Sequence, residues 1–170
     1  ALGDTVFFLA NDGTHGLQLW KTDATAGETV ALKEIVPGAS NPTVGNLTVA
    51  AGQVFFTAVS ATGAWQLWRS DGSADGTLVL ATGPLSSGVG SLAASGGLLY
   101  FTYDDGVHGS EVWKTDGTPG GTSILVDLQP GAAGSNPAEL VDSGGTLYFI
   151  ADTDATDREV WKTDGTAEGT

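Results

Sequence analysis

The two histidines are the side chains of this sequence best suited to acid–base chemistry. Histidine is the usual general base and the middle member of a Ser-His-Asp triad. His15 and His108, however, occupy the same place in two near copies of one polar segment, each five residues before a tryptophan. Catalytic pairs are rarely duplicated in this way, and no nucleophile-elbow motif accompanies either copy. The spacing therefore favours a role in stabilising a turn.

Acidic side chains crowd the segment 152–159, where Asp152, Asp154 and Asp157 follow one another closely. Closely spaced carboxylates suit Ca²⁺, which takes six to eight oxygen ligands. The spacing departs from an EF-hand, because Asp157 stands where that motif has its glycine. A calcium site at these three residues is one hypothesis, and a solvated loop is the other. Calcium is the one cofactor that the sequence suggests.

A tryptophan recurs four times at the head of nearly the same phrase, with spacings of 48, 45 and 48 residues. A phenylalanine lies twelve residues before each, and a leucine nine residues before three of these phenylalanines. A fixed period of this length indicates one supersecondary unit stacked on copies of itself. The tryptophans are Trp20, Trp68, Trp113 and Trp161; the phenylalanines are Phe8, Phe56, Phe101 and Phe149; the leucines are Leu47, Leu92 and Leu140.

Each unit predicts four short strands, A to D, joined by glycine-rich turns. Strand B is apolar at consecutive positions, and since neighbouring side chains of a strand point to opposite faces, both faces should be buried. Strand C carries the tryptophan and ends in Asp-Gly, where the aspartate is expected to cap a turn. The predicted strands are 46–49, 91–93 and 139–141 for A; 5–9, 53–57, 98–102 and 146–150 for B; 111–115 and its copies for C; and 29–32, 77–80 and 122–128 for D.

This pattern predicts an all-β fold: a β-propeller segment of four-stranded antiparallel blades, about three and a half repeats of 45–48 residues. Each Phe–Trp pair should lie between adjacent blades. A β-solenoid is the alternative, although its strands are parallel and its repeats usually shorter. The expected division is a partial repeat over 1–42, repeats over 43–87 and 88–135, and a partial repeat over 136–170, together one domain or part of a larger one.

The first unit opens on strand B and the last stops after strand C, so unpaired sheet edges are expected. We expect these edges to pair with further repeats of the same longer chain or with other copies in a homo-oligomer. The 20 acidic residues against 6 basic ones argue against nucleic acid, because phosphate binding depends on Lys and Arg. The chain has no cysteine and no apolar run of membrane-spanning length, so thiolate metal sites and membrane insertion are not expected.

The repeated phrase resembles the ELWxxDGT repeats of bacterial secreted and cell-surface proteins. The resemblance covers essentially the whole chain, with Ala24 in place of the turn glycine in the first copy and Ser73 for threonine in the second. It implies an exported, repeat-built protein at the extracellular surface, and it supplies no reaction. The four copies are 18–23, 66–73, 111–118 and 159–166.

Trp65 breaks the repeat, since its counterparts are Leu17, Ser110 and Arg158. An extra aromatic beside a loop can stack on a sugar ring or anchor a partner; local filling between blades is the alternative. In a propeller the B–C hairpins and D–A loops emerge on one face, where we expect any ligand to bind. The candidate residues there are Asp12, His15, Trp65, Asp104, His108 and Asp154.

We therefore expect a non-enzymatic extracellular module that acts as a scaffold or as an adhesion and protein-binding surface. A carbohydrate-binding, lectin-like propeller, with or without calcium, is the alternative. A glycoside-acting enzyme is a third hypothesis, since glycoside hydrolysis needs two carboxylates in one cleft. The acids outside the repeated pattern are the candidates for that role: Glu34, Asp127, Glu139 and Asp142.

Overall fold

A computed structural model describes residues 1–23, 28–37, 43–84, 88–153 and 157–170. These residues form strands and turns, with no helix among them, and hence none that could cross a membrane. Ala24 and Asp154 lie outside the described residues, as does most of the predicted D–A loop of the first repeat.

The strands form four antiparallel sheets in the described part of the chain, and in each sheet consecutive strands are neighbours. We call these sheets blades 1 to 4. Blade 1 contains β1 (Thr5–Asn11), β2 (Leu17–Asp23) and β3 (Glu28–Lys33); blade 2 contains β4 (Val44–Ala50), β5 (Gln53–Val59), β6 (Trp65–Ser70) and β7 (Leu78–Thr82); blade 3 contains β8 (Gly90–Ser95), β9 (Leu98–Asp104), β10 (Ser110–Thr115) and β11 (Ser123–Ile124); blade 4 contains β12 (Ala138–Ser143), β13 (Thr146–Asp152) and β14 (Arg158–Thr163).

The predicted order of the strands is confirmed in every blade, with strands B to D in blade 1, A to D in blades 2 and 3, and A to C in blade 4. The predicted length of the last strand of blade 3, however, is wrong. That strand was expected over 122–128, but only Ser123–Ile124 pairs with β10. The Leu125 amide still donates to the Val112 carbonyl at 2.9 Å. Further along the chain, the Gln129 amide donates a hydrogen bond to the side-chain carboxylate of Glu111 and not to the backbone of β10. The apolar run continues as packing against blade 4, not as sheet.

Each blade has two faces with distinct side chains. We call the face that carries the Phe of strand B and the Trp of strand C the leading face, because it meets the preceding blade; the opposite face is the trailing face. Between blades 2 and 3, Phe101 and Trp113 of the leading face pack with Phe55 and Leu67 of the trailing face. Phe56 with Trp68, and Phe149 with Trp161, lie in the other two interfaces. The prediction is thus confirmed for three of the four Phe–Trp pairs; in the described structure Phe8 and Trp20 of blade 1 meet no preceding blade.

Both faces of strand B are buried in the two middle blades, as the apolar run predicts, whereas the prediction is wrong for β1 and β13. In β1 the leading-face residue Val6 is exposed, and in β13 the trailing-face residue Tyr148 is exposed. The physical reason is that, in the described structure, no blade covers the leading face of blade 1 or the trailing face of blade 4.

Neighbouring blades are joined by hydrogen bonds in addition to the packing of aromatic rings. The Lys21 ammonium donates to the Gly72 carbonyl of blade 2 at 2.6 Å, and Lys114 donates to the equivalent Gly165 carbonyl of blade 4 at 2.5 Å. Strand A of blade 3, β8, contacts β4 on one side and β12 on the other, so these strands line up around a common centre. The chain is an all-β, β-propeller segment of antiparallel blades.

Candidate functional site

The B–C hairpins and the D–A loops meet at one end of the blades, as expected. In blade 3 the Asn136 amide donates to the Ser110 carbonyl at 3.1 Å, and Gly109 and Gly134 approach so closely that a Cβ on Gly109 would lie 2.5 Å from the Gly134 nitrogen. We call this end the loop face. It consists of the B–C hairpins at 12–16, 60–64 and 105–109 and of the described parts of the D–A loops.

In blade 1 the loop face carries an aspartate–histidine pair. His15 Nδ1 lies 2.6 Å from Asp12 Oδ2, and Asp12 Oδ1 accepts the backbone N–H groups of Thr14 and His15 at 2.8 Å. The hydrogen bond from the imidazole holds the pKa of Asp12 far below its ordinary value, and the same bond raises the pKa of His15 above 6.5. The carboxylate therefore closes the hairpin and orients the ring.

Blade 3 repeats this arrangement with His108 and Asp105, whose Nδ1 and Oδ2 atoms are 2.8 Å apart. Burial works to raise the pKa of Asp105, but hydrogen bonds from the His108 and Val107 amides and the imidazole outweigh it and lower the pKa. The bond to Asp105 raises the pKa of His108. Asp104 instead accepts the Gly106 amide at 2.7 Å. The geometry supports the turn-stabilising interpretation of both histidines.

A cleft of about 190 Å³ opens beside the pair in blade 1. It contains groups of both charges, and its Lys33 ammonium also donates to the Thr77 carbonyl of blade 2 at 2.8 Å. Among the described residues, the lining includes no serine, threonine or cysteine, so these residues supply no nucleophile for a triad. The cleft can bind a small polar molecule through hydrogen bonds and charge. Its lining residues are Asp12, His15, Gln18, Ala31, Lys33 and Glu34.

Beneath the loop face of blade 3 lies a buried carboxylate that the sequence analysis did not single out. Glu111 is fully buried and accepts the Ser135 amide at 2.8 Å, the Ser135 hydroxyl at 2.5 Å and the Gln129 amide at 3.2 Å. Burial raises the pKa of Glu111, against the opposing effect of these bonds. The carboxylate thus holds the D–A loop onto β10.

In blade 1 the side-chain amide of Gln18 links the segment after β3 to the B–C hairpin. Its Oε1 accepts the Ile35 amide at 2.8 Å, and its Nε2 donates to the His15 carbonyl at 2.5 Å. The sequence signal was available: a Gln or Glu stands two residues before the tryptophan in all four copies, at Gln18, Gln66, Glu111 and Glu159.

The Asp-Gly turns at the opposite end are closed by side chains. In blade 3, Asp116 Oδ1 accepts the Thr118 amide at 2.8 Å and its hydroxyl at 2.7 Å, and Thr118 Oγ1 accepts the Gly121 amide at 2.9 Å. A Cβ on Gly121 would lie 2.0 Å from Asp116 Oδ1, so this position accepts no larger residue without movement. The segments 71–77 and 164–170 repeat the network. These contacts support the turn-capping hypothesis.

Trp65 begins β6 at the loop face and is half-buried. A Cβ on Gly88 would lie 3.2 Å from Trp65 Cγ, so the indole covers the D–A loop of blade 2. The Trp65 carbonyl also accepts the Gly83 amide at 2.8 Å. These contacts agree with local filling, while the part of the ring that remains exposed stays available to a ligand.

The proposed calcium ligands are described only in part. Asp152 Oδ1 lies 3.6 Å from Arg158 Nη1, Asp157 is exposed, and Asp154 is outside the described residues. Among the residues that the structure does describe, no three His, Cys, Asp or Glu side chains gather as a metal would require. The calcium hypothesis stays a prediction.

The four acids considered for glycoside chemistry are spread over three blades. Glu34 lines the cleft of blade 1. Asp127 follows β11 in blade 3, Glu139 lies in the β-bulge of β12, and Asp142 accepts the Gly145 amide at 3.1 Å in a turn of blade 4. The cleft thus combines Glu34 with Asp12, not with the other three acids.

No protein-family model matches the chain, and no curated protein is significantly similar to it in sequence. Among solved structures it is similar to a mutant puromycin hydrolase, with 21% identity over 98% of this chain and 26% of that one, at a TM-score of 0.62. It is also similar to a prolyl endopeptidase, with 17% identity over 96% of this chain and 23% of that one, at a TM-score of 0.56. The chain therefore spans about a quarter of each hydrolase. These likenesses show the β-propeller-type fold alone.

Proposed function

We propose that the chain is a non-enzymatic repeat module that acts as a scaffold and as a protein-binding or adhesion surface of a bacterial secreted or cell-surface protein. The main support for the proposal is that the residues repeated in each unit have structural roles. Three of the four Phe–Trp pairs fill blade interfaces, the Asp-Gly turns are closed by their own side chains, and the Asp–His pairs close hairpins. The side chains that recur from unit to unit therefore stabilise the fold.

Binding is proposed at the loop face, in the cleft of blade 1. Its volume of about 190 Å³ is smaller than the roughly 300–1,000 Å³ typical of pockets for drug-sized ligands. A ligand there is therefore one side chain of a partner protein or one sugar unit of a glycan. The His15 imidazole and the Lys33 side chain, which lie beside Asp12 and Glu34 in the lining, suit a partner group with several hydrogen-bonding atoms.

The extracellular location is supported by the resemblance to ELWxxDGT repeats, and the non-enzymatic role by the lining of the cleft. A hydrolase of the serine type needs a nucleophile in contact with its histidine. None of the described residues that line the cleft is a serine, threonine or cysteine. Its two carboxylates, on Asp12 and Glu34, keep a glycoside-acting enzyme as the alternative to be tested.

A binding and turnover screen tests the proposal. Protein and glycan arrays should yield a ligand that Glu34→Gln weakens at least tenfold, whereas Glu168→Gln, the same change at an exposed site away from the loop face, leaves binding unchanged. A broad ester and glycoside panel should show no turnover. Hydrolysis that is present in the wild type and abolished by E34Q would overturn the non-enzymatic assignment.

A carbohydrate ligand is the second candidate, and the position of the half-buried Trp65 at the loop face favours it. Aromatic faces stack on sugar rings. In this case a glycan is captured on the array and Trp65→Ala weakens the capture, with an unchanged melting temperature as the control for folding. Capture of proteins but not glycans would reject the lectin alternative. For calcium, an equal melting temperature with and without chelator would reject a stabilising role.

A further inference from the structure

Strand A of blades 2, 3 and 4 contains a β-bulge near its first residues, where the D–A loop enters the sheet. Asn46, Ser91 and Glu139 each lie in the stretch where the ladder between strands A and B is interrupted. Because β8 contacts β4 on one side and β12 on the other, the three bulges belong to adjacent strands around the common centre. All three residues are polar and exposed. The repeat therefore places an amide, a hydroxyl and a carboxylate on neighbouring strands at the loop-face end. We call these three residues the bulge ring.

The backbone of the bulge ring is left-handed at two residues that are not glycine. The φ angle is +56° at Asn46 and +55° at Glu139. Asparagine tolerates this conformation better than most residues, whereas glutamate has no such preference. Glycine adopts it without strain, and sixteen of the twenty described residues with positive φ are glycines. Glu139 is thus a strained residue at a place where this chain otherwise uses glycine, and strain of this kind is typical of functional sites.

The contacts around the bulge ring leave its oxygen atoms available. Asn46 Nδ2 donates to Thr57 Oγ1 at 3.2 Å, which fixes the side chain and leaves its amide oxygen as an acceptor. In the described structure no hydrogen bond or ion pair joins the side chain of Ser91 or Glu139 to another residue. The ring therefore offers three acceptor oxygens, one of which carries a negative charge.

The protein itself provides few cations that could neutralise such a site. The chain has 20 acidic residues and 6 basic ones. Five of the six basic side chains already bond to groups of the same chain, so their charge is committed to the fold. These five are Lys21, Lys33, Arg69, Lys114 and Arg158.

We propose that the bulge ring binds a basic side chain of a partner protein. A lysine ammonium has three N–H donors and no acceptor, which matches three oxygens of which one is negative. The net charge of −14 attracts cationic partners to the surface. The inference rests on the proposed protein-binding role, and it adds a second site and the chemistry of the group that this site binds. The bulge ring shares no residue with the cleft of blade 1.

NMR titration of the full chain with hexalysine tests the proposal. The matched ligand is hexalysine acetylated at every Nε, because acetylation removes the charge and keeps the length of the peptide. Amide shift changes caused by hexalysine should centre on residues 45–47, 90–92 and 138–140, and the acetylated peptide should cause none. Glu139→Gln should weaken binding about fivefold, the upper range for an exposed ion pair. Glu168→Gln makes the same change at an exposed site away from the loop face, and it should leave the affinity nearly unchanged.

Two glycine variants separate binding from a structural role of Glu139. Glu139→Gly should bind hexalysine as weakly as Glu139→Gln, and its melting temperature should not fall, because glycine adopts a φ of this sign without strain. Ala51→Gly is the control, since Ala51 has a φ of +48° in the A–B turn of blade 2, at the opposite end from the loop face. This variant should also keep its melting temperature, and it should bind hexalysine like the wild type.

Shift changes spread over the acidic turns at both ends, equal weakening by E139Q and E168Q, or equal binding of the acetylated peptide would overturn the proposal. So would an E139G variant that melts well below A51G, since Glu139 would then stabilise the fold. A partner protein from the array whose binding depends on Glu34 but not on Glu139 would refute this site and support the proposed function. Hexalysine binding at the bulge ring, with no protein or glycan captured on the arrays, would do the reverse.

Discussion

Replacing Phe101 by alanine removes an aromatic ring that is fully buried between blades 2 and 3. Truncating a buried phenylalanine destabilises a protein by about 3–5 kcal/mol, a large part of a typical net stability of roughly 5–15 kcal/mol. For a chain of this length that corresponds to a melting temperature lowered by roughly 6–20 °C. Phe8 occupies the same place in blade 1, but its ring is only half-buried because no blade precedes it in the described structure. Phe8→Ala should therefore lower stability by about half as much.

Urea unfolding followed by tryptophan fluorescence measures both variants, at a dilution where the chain is monomeric. The midpoint of F101A should fall well below that of F8A, and F8A should fall modestly below the wild type. The comparison is matched in residue type and in strand position, so only the presence of a covering blade differs. Equal losses for the two variants, or a loss below about 1 kcal/mol for F101A, would refute the inference that blade packing fixes the role of this ring.

Three further predictions concern the turns and the loop face. Gly121→Ala places a Cβ 2.0 Å from Asp116 Oδ1, so the carboxylate must move away from Thr118 and lose its hydrogen bonds; the melting temperature should fall, at a loss of about 0.5–1.5 kcal/mol. Burial raises the pKa of Glu111, so the folded state holds the carboxyl proton more tightly than the unfolded state does. The stability of the protein should therefore fall as pH rises from about 4.5 through the raised pKa of the folded state. Glu111→Gln should remove this fall in stability. The pKa of His15 should lie above 6.5 by NMR titration, and Asp12→Asn should bring it back towards 6.5, because the carboxylate that favours the charged ring is lost.

Each of these has a control within the chain. Gly120, next to Gly121, has open space around a Cβ, so Gly120→Ala should leave the melting temperature unchanged; equal effects of the two changes would contradict the close-contact argument. Glu159 is the exposed counterpart of Glu111, so Glu159→Gln is the matched control; an equal change of the pH profile in both variants would contradict the effect of burial at Glu111. A His15 pKa at or below 6.5 in the wild type would contradict the aspartate–histidine pair.

The strands and their order could be predicted from sequence because the signal recurs at a fixed interval. Phe56, Phe101 and Phe149 mark the same position of three units, so a misjudgement in one copy is corrected by the others. The burial of the end blades could not be predicted in this way. Val160 and Val112 look alike in the sequence, and only the neighbouring blade decides which is buried.

The candidate site was predicted in part. The Asp-Gly-x-His phrase located the hairpins of the loop face, because such turns depend on contacts within a few residues. Lys33 could not be assigned to the cleft, since its position there depends on how β3 lies beside the B–C hairpin of the same blade. Glu111 was hidden for a similar reason: its partner Ser135 lies 24 residues away, and the sequence does not show which distant loop folds onto β10.

Hydroxyl-radical footprinting of two tyrosines tests most directly whether neighbouring blades cover one another's faces. Tyr100 and Tyr148 hold the same position in blades 3 and 4, but they are 2% and 40% exposed. In a dilute, monomeric sample Tyr148 should be oxidised much faster than Tyr100, because 40% of Tyr148 is exposed against 2% of Tyr100. Equal rates for the two rings would show that blade 4 does not cover the trailing face of blade 3, and the proposed architecture would be wrong.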